Sequence, residues 1–139
     1  MIVMVCLDDK NGMMFNGRRQ SKDKVLRERM DELAGENKLW MNSYSAKQFG
    51  AEQGSNIQVD EEFLQKAGVG EFCFVENQKL TDVEQQIEKL MVFRWNRVYP
   101  ADQYLDLDIT FGNWKLLEQV EFAGHSHEKI TMEVYGRWS

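Results

Sequence analysis

Ile2-Val3-Met4-Val5-Cys6-Leu7 is followed at once by the turn formers Asp8-Asp9-Lys10-Asn11-Gly12. A short, unbroken apolar run rich in β-branched residues, closed by turn residues, reads as a strand buried on both faces. Such strands belong to parallel sheets, and the residues beyond it fit that reading. Ser21 offers a helix N-cap with Asp23 in the first turn. Val25, Leu26, Met30 and Leu33 follow at helical spacing and Gly35 offers a stop, so the expected helix is Lys22 to Ala34. Lys38 to Met41 reads as a second strand. Ser45-Ala46-Lys47-Gln48 has the form of a capping box opening a short helix that ends near Gly50 or Gly54. Asn56 to Val59 reads as a brief strand, and Asp60 as the cap of a helix through Phe63, Leu64 and Ala67, closed by Gly68. Glu71 to Val75 reads as a strand, Thr81-Asp82-Val83-Glu84 as another capping box and Lys89 to Trp95 as a further strand.

The pattern changes after Pro100. Tyr104 to Ile109 alternates, with Leu105, Leu107 and Ile109 on one face and Tyr104, Asp106 and Asp108 on the other. Trp114 to Phe122 and Lys129 to Tyr135 follow with no helical period between them. Strand–helix alternation and then consecutive strands predicts a three-layer α/β fold on a mixed sheet. Its first part is parallel and its C-terminal strands are antiparallel. Without repeat or linker, residues 1–139 read as one domain.

Composition narrows the function classes. The 139 residues are 42% hydrophobic and 29% charged, which excludes collagen-like and disordered classes. No apolar run approaches the roughly 18–20 residues of a membrane helix, and no secretory signal pattern opens the chain, so a cytoplasmic protein without a membrane partner is expected. The net charge is −6, and both halves carry more acid than base, which argues against a nucleic-acid coat. The local exception is Arg18, Arg19, Lys22, Lys24, Arg27 and Arg29. Cys6 and Cys73 lie 67 positions apart inside apolar runs and read as buried thiols rather than a disulfide.

This order of elements resembles the dihydrofolate reductase family. Asn11-Gly12-Met13 resembles its first Ile-Gly turn, and the 13 residues from Asn11 to Asp23 are similar, with one deletion, to the loop leading to its catalytic acid. Lys38 to Ser45 resembles the strand entering its Gly-Arg-x-Thr turn. Leu90 to Asn96 resembles the strand before its Gly-Gly turn. Trp114 and Thr131-Met132-Glu133-Val134-Tyr135 resemble its last two strands. The resemblance implies the family's fold, with Asp23 in the place of the pterin-binding acid.

The departures imply a lost cofactor site. Phe93-Arg94-Trp95-Asn96 stands where the resemblance puts glycines that let the backbone approach a pyrophosphate. Ser43 stands in place of the arginine that holds the cofactor's extra phosphate, and Arg18 and Arg19 replace a Pro-Trp. Arg97 to Pro100 runs almost directly into the next strand where the family has a helix. No NADPH is therefore expected. Segments such as MIVMVC, RRQS, CFVEN and HEKIT are also similar to chains carrying the family name ribonuclease Z. That family holds two zinc ions through a His-x-His-x-Asp-His motif. His125-Ser126-His127-Glu128-Lys129 has the first two ligand positions but neither the Asp nor the third His, and the chain has 2 His in all, so no zinc is expected.

The candidate residues each have a plainer reading. Asp23 is either a ligand-binding acid or a carboxylate favoured by the helix dipole. Arg18 and Arg19 either bind phosphate or belong to a solvated face. Arg94, Trp95 and Arg97 offer planar stacking surface and charge at a strand's carboxyl end, where open α/β sheets place ligands; otherwise they pack over the sheet. Ser43 and Ser45 end the second strand at the same edge. His125 and His127 read as a surface hairpin turn, and Asp106 and Asp108 as a solvent face. The chain is read as having no Ser-His-Asp pattern, no phosphate-binding glycine loop and no zinc ribbon spacing. The expected function is binding of an unidentified small molecule or protein, without catalysis. The alternative is an enzyme, either a residual pterin reductase centred on Asp23 or a nuclease.

Overall fold

The computed structural model describes residues 1–49, 56–110 and 112–138. The strands and helices run β1 (Ile2–Leu7), β2 (Gly12–Phe15), β3 (Arg18–Arg19), α1 (Lys24–Ala34), β4 (Leu39–Met41), α2 (Ser43–Ala46), β5 (Ile57–Val59), α3 (Phe63–Lys66) and β6 (Phe72–Phe74). A 3-10 helix (Thr81–Gln86) follows, then β7 (Lys89–Arg94), β8 (Gln103–Tyr104), β9 (Trp114–Phe122) and β10 (Ile130–Arg137). Seven strands form one sheet in the order β5-β4-β6-β1-β7-β10-β9. β5, β4, β6, β1 and β7 are parallel, and β10 and β9 join antiparallel at one edge. The expected mixed α/β sheet is present.

β1 is central because both its faces are apolar. Val3, Val5 and Leu7 enter one core with Phe63, Val75, Leu90 and Val92. Met4 enters the other with Leu26, Met30 and Ala34 of α1 and with Phe74 and Phe93. The two-residue period of a strand sorts these side chains to opposite layers. On α1, Leu26, Met30 and Ala34 recur every four residues and form the buried stripe.

The helix starts differ from the sequence expectation. α1 begins at Lys24 and its N-cap is Asp23, not Ser21. The Asp23 carboxylate accepts from Val25 N at 2.9 Å and Leu26 N at 3.2 Å, which the shorter Ser21, two residues further from the helix, does not do. α2 is capped by Asn42, whose Oδ1 accepts from Ser45 N at 2.9 Å, rather than opened by Ser45. Its predicted end at Gly50 or Gly54 lies outside the described residues. Asp60 accepts from Glu62 N in a turn before α3, which ends at Lys66. Thr81 does not close a capping box: its amide and hydroxyl both donate to Asp106, and the segment is a 3-10 helix.

The alternating segment after Pro100 is a strand only at Gln103–Tyr104. Leu105, Leu107 and Ile109 still point into the core. Asp106 is exposed but accepts from Leu80 N and Thr81 N, so it ties two segments together instead of forming a free solvent face. β8 pairs with β2 in a second small sheet, β3-β2-β8. The β2–β3 hairpin turns at Asn16-Gly17, with φ of 51° and 71°. It carries Arg18 and Arg19 back across the carboxyl edge of the large sheet.

Candidate functional site

Parallel strands β1, β4, β6 and β7 all end at this edge, and the loop before antiparallel β10 begins there. Five chain segments therefore meet at one place. Glu76, just past β6, is buried among them. Arg19 clamps it with two bonds, Nε to Oε2 at 2.8 Å and Nη2 to Oε1 at 3.1 Å. Ser45 Oγ and Gln48 Nε2 donate to the same Oε1 at 2.8 and 3.2 Å. The Arg19 guanidinium lies 4.3 Å from the centre of the Tyr44 ring. Burial works to lower the Arg19 pKa, but the hydrogen bonds and charge of Glu76 outweigh it and raise the value. Planar two-point contact to a carboxylate suits arginine. Beneath this clamp, two cavities beside Cys6, Glu76 and Trp95 measure only about 10 Å³ each. Burial, with Glu76 adding to it, pushes the Cys6 thiol pKa up.

Asp23 stands at the start of α1 as its cap, and it is also tied to the loop before β10. It is buried, yet it does not open into a ligand pocket with a raised pKa. Oδ1 accepts from Val25 N, Leu26 N and His125 N, the last at 3.0 Å. Oδ2 accepts from Ser126 N at 2.8 Å and faces His127 Nδ1 at 2.8 Å. Burial favours the neutral acid, but the His125 amide, the His127 ring and the Ser126 and Leu26 amides together hold the carboxyl well below its usual range. Gly124 makes this approach possible, since a Cβ there would lie 2.6 Å from Oδ2.

His127 is no open surface turn either. Its side chain is 8% exposed. Nε2 lies 2.9 Å from Ser21 Oγ, and its ring stacks on Trp95 at 4.6 Å between centroids. Ser21, His127 and Asp23 thus stand in hydrogen-bonded sequence, which corrects the reading of no Ser-His-Asp pattern; the linear sequence hides the grouping because His127 is 104 positions from Asp23. Among the described residues, no three His, Cys, Asp or Glu side chains gather as a metal site.

The other candidates divide. Ser45 joins the Glu76 cluster. Ser43 is exposed and its amide donates to Glu61 Oε2 at 2.9 Å. Arg94 turns inward: Nε donates to Glu133 at 3.0 Å, and Nη1 donates to Asp8 O at 3.0 Å and to Asn11 Oδ1. Trp95 is buried against the α1 core. Arg97 is exposed beside a depression of about 290 Å³ that Trp95 and His127 also line. Arg18 is exposed between two open clefts. One, of about 450 Å³, runs from Phe15 to Tyr99 and Pro100. The other, of about 410 Å³, is lined by Arg18, Arg19, Ser21, Lys22 and Tyr44. The sequence reading missed Ser21 and Glu76 as site residues and took His127 for a turn residue. Only the Asn16-Gly17 dipeptide, a hairpin signal, could have placed Arg19 over the edge.

The architecture is that of a dihydrofolate reductase-like fold. Among 251 matching solved chains is the dihydrofolate reductase from Enterococcus faecalis complexed with NADP(H) and RAB-propyl, similar at TM-score 0.68 over 99% of this chain and 96% of that one. The sequence identity is 10%, so the likeness is one of fold. No family model and no curated protein sequence matches the chain. Among the described residues, no helix is long and apolar enough to cross a membrane.

Proposed function

We propose that this protein uses a dihydrofolate reductase-like fold to bind a small anionic ligand in the open cleft at Arg18, Arg19 and Lys22, without a nicotinamide cofactor. The observation that carries the reading is the engagement of Asp23. Both of its oxygens accept from the protein's own donors, so the residue that the resemblance puts in the place of a pterin-binding acid has no oxygen free for a pterin. The residues at the edge also fit a dinucleotide poorly. Arg19 and Glu76 close the edge above cavities of about 10 Å³, room for no more than a water. Arg94 is committed to Glu133 and Asp8. The cleft outside the clamp is open, holds about 410 Å³, and has cationic Arg18 and Lys22 at its rim. A compact anion would meet charge-assisted donors there.

Titration with NADPH followed by tryptophan fluorescence, and with inorganic phosphate and citrate followed by amide NMR shifts, tests the reading. We expect no saturable NADPH binding in the low micromolar range, and anion-dependent shifts at Arg18, Ser21 and Lys22. Tight NADPH binding would instead support a residual reductase.

A further inference from the structure

We propose that Ser21, His127 and Asp23 form a nucleophilic serine centre that cleaves carboxylic esters. The preference for an ester bearing an anionic group rests on the cleft reading above; the nucleophile does not. The bond order is directional. Asp23 is held ionised by backbone amides, so it accepts from His127 Nδ1–H, and this tautomer leaves the Nε2 lone pair facing Ser21 Oγ at 2.9 Å. That is the arrangement in which an imidazole accepts a hydroxyl proton while a carboxylate steadies the imidazolium. Trp95, stacked on the ring, offers its π face to the same cation. Ser21 is half-buried and lines the cleft of about 410 Å³, so the hydroxyl is reachable. On its inner side, Arg27 lines the same small cavity as Ser21. Its buried Nε has no hydrogen-bond partner among the described residues, but that cavity of about 10 Å³ does not admit an acyl group, so Arg27 has no part in the centre.

The reaction balances with water alone. Ser21 Oγ bonds to the ester carbonyl carbon as its proton passes to His127 Nε2. The C–O bond to the leaving alkoxide then breaks, and Nε2 returns the proton to release an alcohol. A water next gives a proton to Nε2 and its oxygen to the acyl carbon. The Oγ–C bond breaks, Ser21 regains the proton, and a carboxylic acid leaves.

A neutral fluorophosphonate probe, read by intact mass and peptide mapping, tests the nucleophile without recourse to the cleft. We expect one adduct on Ser21 and none in Ser21→Ala. His127→Gln should slow labelling by about 10²-fold or more, the scale of general-base assistance. Circular dichroism confirms that each variant is folded. Absence of an adduct on the wild type, or equal ester turnover in Ser21→Ala, overturns the proposal. Comparing p-nitrophenyl acetate with mono-p-nitrophenyl succinate tests the cleft separately. We expect the anionic ester to be preferred, and the preference to vanish in the Arg18→Ala/Lys22→Ala double variant. Labelling of Ser21 with no such preference would overturn the anion reading and leave the nucleophile standing.

Discussion

Replacing Asp23 by Ala removes more than a helix cap. The cap itself, two amide bonds from Val25 and Leu26, is worth about 1 kcal/mol. The same carboxylate also accepts from the His125 and Ser126 amides and from the His127 ring, which join the start of α1 to the loop before β10. A hydrogen bond to a charged group is worth about 1.5–3 kcal/mol. His125 and Ser126 are exposed residues whose amides water can reach in the variant, so only part of that is lost. The sum is about 3–5 kcal/mol, a large share of the roughly 5–15 kcal/mol typical of a domain. Urea unfolding followed by tryptophan fluorescence would show this as a lower midpoint at unchanged slope. Ser21→Ala, which breaks only the outer bond of the chain, should cost about 1 kcal/mol or less. A loss of only about 1 kcal/mol in Asp23→Ala would mean that the cap alone matters and that the contacts to the 125–127 loop do not form.

Asp23 has a folded pKa below its model-compound value of 3.8, so its stabilisation is full above that value and is lost as pH falls below it. Acid titration of stability should therefore fall more steeply below about pH 4 in the wild type than in Asp23→Asn, which has no carboxylate to protonate. Arg19→Ala leaves Glu76 buried without its cation and should cost about 3–5 kcal/mol, measured by the same unfolding assay. Arg19→Ala/Glu76→Gln should recover part of that loss, because the orphaned charge is gone. Burial drives the Cys73 pKa up to about 12 and raises that of Cys6 as well. Iodoacetamide at pH 8 should therefore modify neither thiol in the folded protein and both in urea, as read by intact mass.

The elements legible in the linear sequence were those set by local pattern. The apolar run of β1, the four-residue stripe of α1 and the alternating end of β10 carry their burial in their spacing, whereas β9 was legible as a strand although Leu116 and Leu117 are exposed. Helix starts were less legible, because Ser, Asp and Asn compete for the cap and the winner depends on where each backbone turn falls. Thus Asp23 displaced Ser21, and Asn42 displaced Ser45. β2 and β3 escaped notice because Gly12-Met13-Met14-Phe15 does not alternate, although Asn16-Gly17 marks their turn.

For the site, residue types were legible and partners were not. Arg18, Arg19, Ser45 and Asp23 could be singled out from charge and position along the chain. That Arg19 meets Glu76, 57 positions away, or that Asp23 meets His127, 104 away, follows from loop closures that no local period encodes. Side-chain pairing across such distances depends on which segments the sheet order brings to one edge. It also turns on tolerances of tenths of an ångström, such as the space beside Asp23 that Gly124 leaves by having no Cβ. Periodicity sorted residues into layers because burial acts on each element separately. The chemistry at the carboxyl edge was decided by tertiary contact, because a hydrogen bond needs both of its partners in place.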